Sequence, residues 1–183
     1  MKYLIASDIH GSAYWTERLV AAIESEQPDR IVLLGDLLYH GPRNDLPRDY
    51  APKRVIPLLN ALAGRIIAVR GNCDAEVDQM VLKFPILADY AAFWLGDLMV
   101  WATHGHVYNM NNLPPFKKGD VLLHGHTHIP AAQSFGDGYY YINPGSLSIP
   151  KEGSKNSYMI LEGRTFTLKS VEDGSVISSF TVE

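Results

Sequence analysis

KYLIASDIHG, residues 2–11, decides the fold. Lys2 to Ser7 is a short, almost wholly apolar run, the pattern of a strand covered on both faces, and it ends abruptly in Asp8, His10 and Gly11. The same unit returns twice. RIVLLGD, residues 30–36, is a second buried strand running into Gly35 and Asp36, and RIIAVRGNCD, residues 65–74, is a third running into Arg70, Gly71, Asn72, Cys73 and Asp74. Between the first two, Ser12 to Gln27 has Trp15, Leu19, Val20 and Ile23 near helical spacing, and Pro28-Asp29 stops it. Leu37 to Ala51, rich in Pro, Asn and Asp, reads as an irregular surface insertion. Pro52 to Leu62 reads as a helix with Pro52 in its first turn and Gly64 at its end, while Pro57 should kink or shorten it. Strand, helix, strand, helix, strand in this order predicts a parallel, helix-covered sheet.

The second half changes character. AAFWLGDLMVWA, residues 91–102, reads as two strands joined tightly at Gly96-Asp97, and AAQSFGDGYYYI, residues 131–142, as a second hairpin. DVLL, residues 120–123, is another short strand. SYMIL, TFTLKS and VISSFTV alternate apolar and polar positions between turn residues and read as antiparallel strands. One architecture joins the two halves: an α/β fold, a four-layer α/β/β/α sandwich of two mixed sheets flanked by helices, with residues 1–183 as a single domain.

The chain has 183 residues, 46% of them hydrophobic and 20% charged, enough for one full core. A net charge of -4 argues against a protein that coats nucleic acid, which should carry a basic stripe, but is compatible with a small phosphorylated substrate held by cations. Cys73 is the only cysteine, so no internal disulfide can form. The N-terminal apolar run stops at Asp8, too short for a signal peptide, and the longest apolar stretch, Tyr90 to Ala102, is interrupted at Gly96-Asp97. These features predict a cytoplasmic protein outside the membrane. Tyr139, Tyr140 and Tyr141 could form an interface of a homo-oligomer or pack between sheets.

Seven histidines are present, and five of them lie in THGH, residues 103–106, and HGHTH, residues 124–128. Each buried strand is followed at once by residues that bind metal well: Asp8 and His10; Asp36; Asn72 and Asp74; His104 and His106; His124, His126 and His128; and Asn143 to Ser146 after YYYI. Ligands of open α/β sheets bind beyond the carboxyl ends of the strands, so strand ends pointing one way would gather these groups around one pocket. Taken singly, each has a plain structural reading: Asp8-x-His10 and Asn72 to Asp74 as turns, His104 as a hydrogen-bonded core residue. None of those readings explains why all of them follow buried strands.

The series D-x-H, G-D, G-N-x-D, a separate His and G-H-x-H resembles the calcineurin-like metallophosphoesterase superfamily, and HGPRN, RGNCD, THGH, GHTH and NPGS together are similar to its small bacterial phosphodiesterases. The resemblance covers Asp8 to at least Pro150. It implies a two-metal site in which Asp8, His10, Asp36 and His128 hold one ion, Asp36 bridges to the second, and Asn72, His104 and His126 complete that one. Carboxylate, amide oxygen and imidazole together suit Mn²⁺ (the expected ion), Zn²⁺, Fe²⁺ or Ni²⁺ rather than Ca²⁺. The implied reaction is attack of a metal-activated water on phosphorus, with Asp36, Asn72, Cys73 and His106 in the catalytic machinery and Cys73 and His106 meeting substrate; Cys73 reads equally as a small packing residue, and Arg43, in the insertion, could reach a substrate or stand in a solvated loop. His124 reads as an ordinary strand residue. The sequence departs from many members at Cys73, where they carry a histidine that can help the leaving group. It also lacks the G-D-x-x-D-R-G of the protein-phosphatase branch, since Asp36 is followed by Leu37-Leu38-Tyr39-His40-Gly41. The expectation is a phosphodiesterase of small diesters, with no extended nucleic acid as partner. A phosphomonoesterase of the same mechanism, or a non-catalytic interaction scaffold on this fold, are the alternatives, and the complete ligand set argues against the scaffold.

Overall fold

The computed structural model of the chain describes residues 1–183. In chain order its elements are β1 (Lys2–Ala6), α1 (Ala13–Glu26), β2 (Arg30–Leu33), α2 (Pro52–Asn60), β3 (Ile66–Ala68), α3 (Glu76–Gln79), β4 (Tyr90–Leu95), β5 (Leu98–Thr103), β6 (Val121–His124), β7 (Ala131–Phe135), β8 (Tyr139–Asn143), β9 (Ser157–Glu162), β10 (Thr165–Ser170) and β11 (Val176–Thr181). They build two mixed sheets, six-stranded in the order β11-β10-β9-β1-β2-β3 and five-stranded in the order β4-β5-β6-β8-β7.

β1, β2 and β3 are mutually parallel, and β9 to β11 extend the same sheet antiparallel from β1. β9 is thereby central, and its first five residues are buried, although its sequence alternates less clearly than that of β10. The predicted hairpins β4-β5 and β7-β8 form, with Leu95 opposite Leu98 and Phe135 opposite Tyr139. β5, β6 and β8 run parallel to each other.

Two cores follow from the alternation along the strands. Leu4, Ala6, Ile31 and Leu33 face α1 and α2, packing on Trp15, Leu19, Ile23, Val55 and Leu59. The opposite faces, through Tyr3, Ile5, Val32 and Leu34, meet Val100, Ala102, Val121, Leu123 and Ile142 of the other sheet. The long helices therefore lie against the six-stranded sheet. On the far face of the five-stranded sheet Leu122 and Tyr141 are buried, with rings of segment 104–120 nearby: Tyr108 against Tyr90, and Phe116 against Tyr139. Tyr140 packs against the inter-sheet core and Phe180, and Tyr141 is buried, while Tyr139 and Tyr140 keep part of their surface exposed.

Ser12 caps α1 by accepting from the Trp15 N–H, and Gln27 closes it in the left-handed conformation. α2 ends at Asn60, earlier than expected. Pro57 sits inside it, where it removes one backbone donor, and Gly64 falls in a separate turn of 3-10 helix at Ala63–Arg65 rather than at the helix end.

Candidate metal centre

The carboxyl ends of β1, β2, β3, β5 and β6 converge. Backbone bonds tie them together: Asp8 N–H donates to Gly35 O at 3.1 Å, His10 N–H to Asp36 O at 2.9 Å, and His126 N–H to the Asp8 carboxylate at 3.0 Å. Glycine permits this approach. A Cβ on Gly71 would lie 2.1 Å from Asp36 Oδ1, and one on Gly125 would lie 1.9 Å from Ser7 Oγ. Eight non-glycine residues have positive φ, and five of them are Asp8, His10, Asp36, His126 and His128. Such backbone costs about 1–3 kcal/mol per residue and persists only where the surroundings over-determine it, which makes it a mark of functional sites.

The surroundings do so here. Ser146 and Ser148 hydroxyls both donate to Asp8 O, each at 3.0 Å. The Asp74 carboxylate, buried and held by the N–H groups of Asp36 at 2.8 Å, Leu37 at 2.9 Å and Gly71 at 2.7 Å, locks the β2 and β3 loops together. Asn143 donates to Gly125 O and Thr127 Oγ1 and so braces the HGHTH loop. Asp74, Ser146, Ser148 and Asn143 are thus positioning residues; the sequence reading of Asp74 and of Asn143 to Ser146 as metal-binding groups is corrected, because their polar atoms are spent on backbone and side-chain bonds that brace the loops.

The imidazoles carry the chemical signature. His10, His104 and His128 direct Nδ1 at the backbone carbonyls of Tyr39 (2.8 Å), Leu34 (2.7 Å) and Ile149 (2.6 Å). A carbonyl can only accept, so each Nδ1 holds the proton, and in a neutral ring each Nε2 presents a lone pair. Those lone pairs meet other acceptors. His10 Nε2 lies 3.3 Å from His128 Nε2; His104 Nε2 lies 3.0 Å from Asn72 Oδ1 and 3.1 Å from His126 Nδ1. Asp8 Oδ1 is buried without a hydrogen-bond donor and lies 3.3 Å from His128 Nε2. Asp36 divides its two oxygens: Oδ1 accepts from Cys73 N–H at 2.8 Å, and Oδ2 stands between His10 Nε2 at 3.7 Å and His104 Nε2 at 3.6 Å. Acceptors converging on acceptors, in a buried cleft, fit divalent cations. Asp8, His10 and His128 form one group able to hold an ion, and Asp8, Asp36 and His104 another.

Electrostatics agree with a cation-binding cleft. Burial would raise the Asp8 pKa, but the His10 and His128 rings, 3.6 and 3.3 Å from its Oδ1, outweigh it and hold the carboxyl well below the usual range. Burial and the neighbouring His104 push His126 down to about 4, leaving its ring neutral and free to donate a lone pair at neutral pH.

The remaining candidates are placed as follows. Asn72 is exposed at the mouth, beside His104. Cys73 Sγ, half-buried, lies with the ligand atoms of His10 and Asp36 inside a 4.8 Å group. His106 is exposed, its ring 5.4 Å from His104 and 6.2 Å from His126. Arg43 is exposed in the insertion, on a groove it shares with Asn72 and Cys73. His124 turns away: it stacks on Tyr141 at 4.6 Å, and its Nδ1 lies 3.0 Å from Gly125 O.

Known proteins are similar to this chain in sequence and fold. The sequence model of the calcineurin-like phosphoesterase superfamily domain matches residues 1–165. Phosphodiesterase YfcE of Escherichia coli is 45% identical over 182 residues, covering 100% of this chain and 98% of its own. Its structure superposes with a TM-score of 0.96 over 100% of both chains. A probable metallophosphoesterase of Bacillus subtilis, YsnB, is 27% identical over 168 residues, 88% of this chain and 83% of its own. An archaeal phosphodiesterase shares the fold at 22% identity, with a TM-score of 0.62 over 99% of each chain. No helix of the structure is long and apolar enough to cross a membrane.

Proposed function

We propose that this chain, which belongs to the calcineurin-like phosphoesterase superfamily, is a divalent-metal phosphodiesterase that hydrolyses small phosphodiesters. The observation that carries the reading is the convergence of lone pairs just described: His10, His128 and Asp8 on one side, His104, His126 and Asn72 on the other, with Asp36 Oδ2 between. Asp8, His10, Asp36 and His128 would hold one ion, and Asp36, Asn72, His104 and His126 the other. Both sheets supply ligands, which supports residues 1–183 acting as one catalytic domain. Oxygen and imidazole donors together favour Mn²⁺, with Zn²⁺, Fe²⁺ or Ni²⁺ able to replace it. The lone cysteine and the lack of a membrane-spanning helix support a cytoplasmic location.

When bound, such a pair of ions supplies Lewis acidity toward the phosphoryl oxygens and a water of lowered pKa. The chain's part is to keep that acidity high and to position the ester. Only Asp8 and Asp36 among the seven ligands are anionic, so the site stays cationic and attracts a phosphodiester monoanion. Neutral Asn72 contributes an oxygen without cancelling charge. The carbonyls of Tyr39, Leu34 and Ile149 fix the rings of His10, His104 and His128 and strengthen them as donors. His106, with its pKa lowered by burial and by His104, stands neutral at the open side, where it orients substrate by hydrogen bonding.

Cys73 sets the limit of the chemistry. Burial and the Asp36 carboxylate raise its thiol to about 12, so it stays protonated, carries no positive charge and is a much poorer proton donor to a departing oxygen than an imidazolium would be. Leaving groups must depart largely unaided. With Mn²⁺ supplied, aryl phosphodiesters are expected to be cleaved at least about tenfold faster than alkyl phosphomonoesters, and duplex DNA at physiological salt hardly at all, since the chain carries -4 net charge. Rates across one panel of mono- and diesters test this. Alkyl monoesters as the best substrates would transfer the reading to phosphomonoesterase.

Cys73→His is expected to flatten the dependence of rate on leaving-group pKa. A well-placed general acid is worth about 10²–10⁴-fold, and an unoptimised one should recover part of that, for the poorest leaving groups most. Equal slopes in the two proteins, with metal content unchanged, would make Cys73 a packing residue only.

A further inference from the structure

Two grooves adjoin each other at Cys73, beside the metal-type cluster, and their walls differ in chemistry. Tyr39 and Cys73 line both. The first groove, about 400 Å³, continues along Tyr50, Ile56, Val77 and Val81; Val77 is 64% exposed, a large apolar side chain left to solvent. The second, about 510 Å³, continues along Arg43, Asn44 and Arg70, with Asn72 at its inner end. Arg70 is anchored by Nε, which donates to Asp74 O at 3.3 Å, and its Nη2 lies 3.5 Å from an exposed Glu76. Two guanidinium groups share this groove although the chain as a whole is anionic.

We infer that these grooves receive the two ester arms of one asymmetric substrate: an aryl or heteroaryl arm in the apolar groove, and an arm bearing a second anionic group in the arginine groove. The inference rests on the phosphodiesterase reading. A phosphodiester has two ester oxygens diverging from one tetrahedral phosphorus, and the grooves diverge from Cys73, whose Sγ lies within 4.8 Å of the ligand atoms of His10 and Asp36. Tyr39 stands at the fork. Its carbonyl holds His10, and its ring begins an edge-packed series, 4.8 Å to His40 and then 5.1 Å from His40 to Tyr50, which sets aromatic faces along the apolar branch. A planar arm gains contact there that an alkyl chain does not. In the other branch a guanidinium meets a carboxylate or phosphate in two parallel hydrogen bonds, which a neutral arm cannot make. A protein partner seated on Val77 and Tyr39 would close the mouth of the reactive cleft, so the apolar branch suits a small arm better than a subunit.

The test uses the full-length, Mn²⁺-loaded protein and two para-nitrophenyl diesters, one with a methyl second arm and one with a carboxyalkyl second arm. Wild type is expected to prefer the carboxyalkyl ester about tenfold in kcat/KM, the size of one charge-assisted hydrogen bond at an open site, and Arg43→Gln to cancel that preference. Val77→Asp, a change at an exposed position, is expected to raise KM about fivefold for both esters alike while the preference between them persists. Equal kcat/KM for the two esters in wild type, or a preference that survives Arg43→Gln, overturns the inference. So does an unchanged KM in Val77→Asp, and an accompanying drop in mass by light scattering would identify that groove as a contact between copies of the chain. Hydrolysis of neither ester would remove the phosphodiesterase reading itself, and this one with it.

Discussion

Asp36→Asn is expected to lower phosphodiester hydrolysis by on the order of 10³-fold or more, beyond the 10–100-fold typical of an outer partner of a metal ligand, and to leave the protein with less than one ion per chain. The reason is geometric. Asp36 Oδ2 stands about equally far from His10 Nε2 and His104 Nε2, at 3.7 and 3.6 Å, while Oδ1 is committed to Cys73 N–H. An amide in its place offers one neutral oxygen, and if that oxygen keeps the Cys73 bond, an NH₂ donor faces both metal positions. His124→Ala is the matched control, two residues from His126 yet turned onto Tyr141. It should cost about 1–3 kcal/mol of stability for a lost buried ring and leave metal content and rate near wild type. Metal analysis and turnover of both variants decide the matter. A folded His124→Ala as inactive as Asp36→Asn would mean that the wrong histidines of HGHTH have been placed at the ions.

That the cluster was readable in sequence has a physical cause. A strand buried on both faces carries few polar residues, so the change from KYLIAS to Asp8 and from RIVLL to Gly35-Asp36 marks where the chain leaves the sheet. Parallel pairing of β1, β2 and β3 then sends those exits to one edge, and the parallel β5, β6 and β8 do the same for the second sheet. What holds the ligands was much less legible. Backbone carbonyls of Tyr39, Leu34 and Ile149 orient three imidazoles, and any residue supplies a carbonyl. Ser146 and Ser148 look like turn formers until Asp8 O is seen between them, and Asp74 like the end of a turn until three N–H groups are found on it. The left-handed backbone of Asp8, His10, Asp36, His126 and His128 is likewise imposed by tertiary contacts, since local preference favours glycine there. The α2 end was misplaced for the same kind of reason: Gly64 signalled a stop, but the helix stops at Asn60, and Gly64 serves the next turn.

Removing the ions is expected to abolish turnover and also to lower the melting temperature, and the second effect separates a resident metal centre from a site loaded only by substrate. Without cations, His10 Nε2 faces His128 Nε2 at 3.3 Å, Asp8 Oδ1 has no donor, and five left-handed residues hold acceptors against acceptors. Part of that repulsion is relieved if a ring takes up a proton: burial disfavours the charged form of His10, but the Asp8 carboxylate, 3.6 Å from its Nε2, outweighs this and raises its pKa. The relief is present only at low pH and fades as pH rises through that raised value, so the metal-free protein should be relatively weakest above neutrality. A ligand that binds only the folded state adds about 4 kcal/mol when present at a thousand times its Kd. For a chain of this length each kcal/mol moves the midpoint by roughly 2–4 °C, so one such ion corresponds to a shift of about 8–16 °C. Calorimetry of chelator-treated and Mn²⁺-restored protein at mildly alkaline pH measures it, with elemental analysis on the same samples. Identical melting with and without Mn²⁺, or full turnover in protein free of metal, would show that the converging lone pairs have another use.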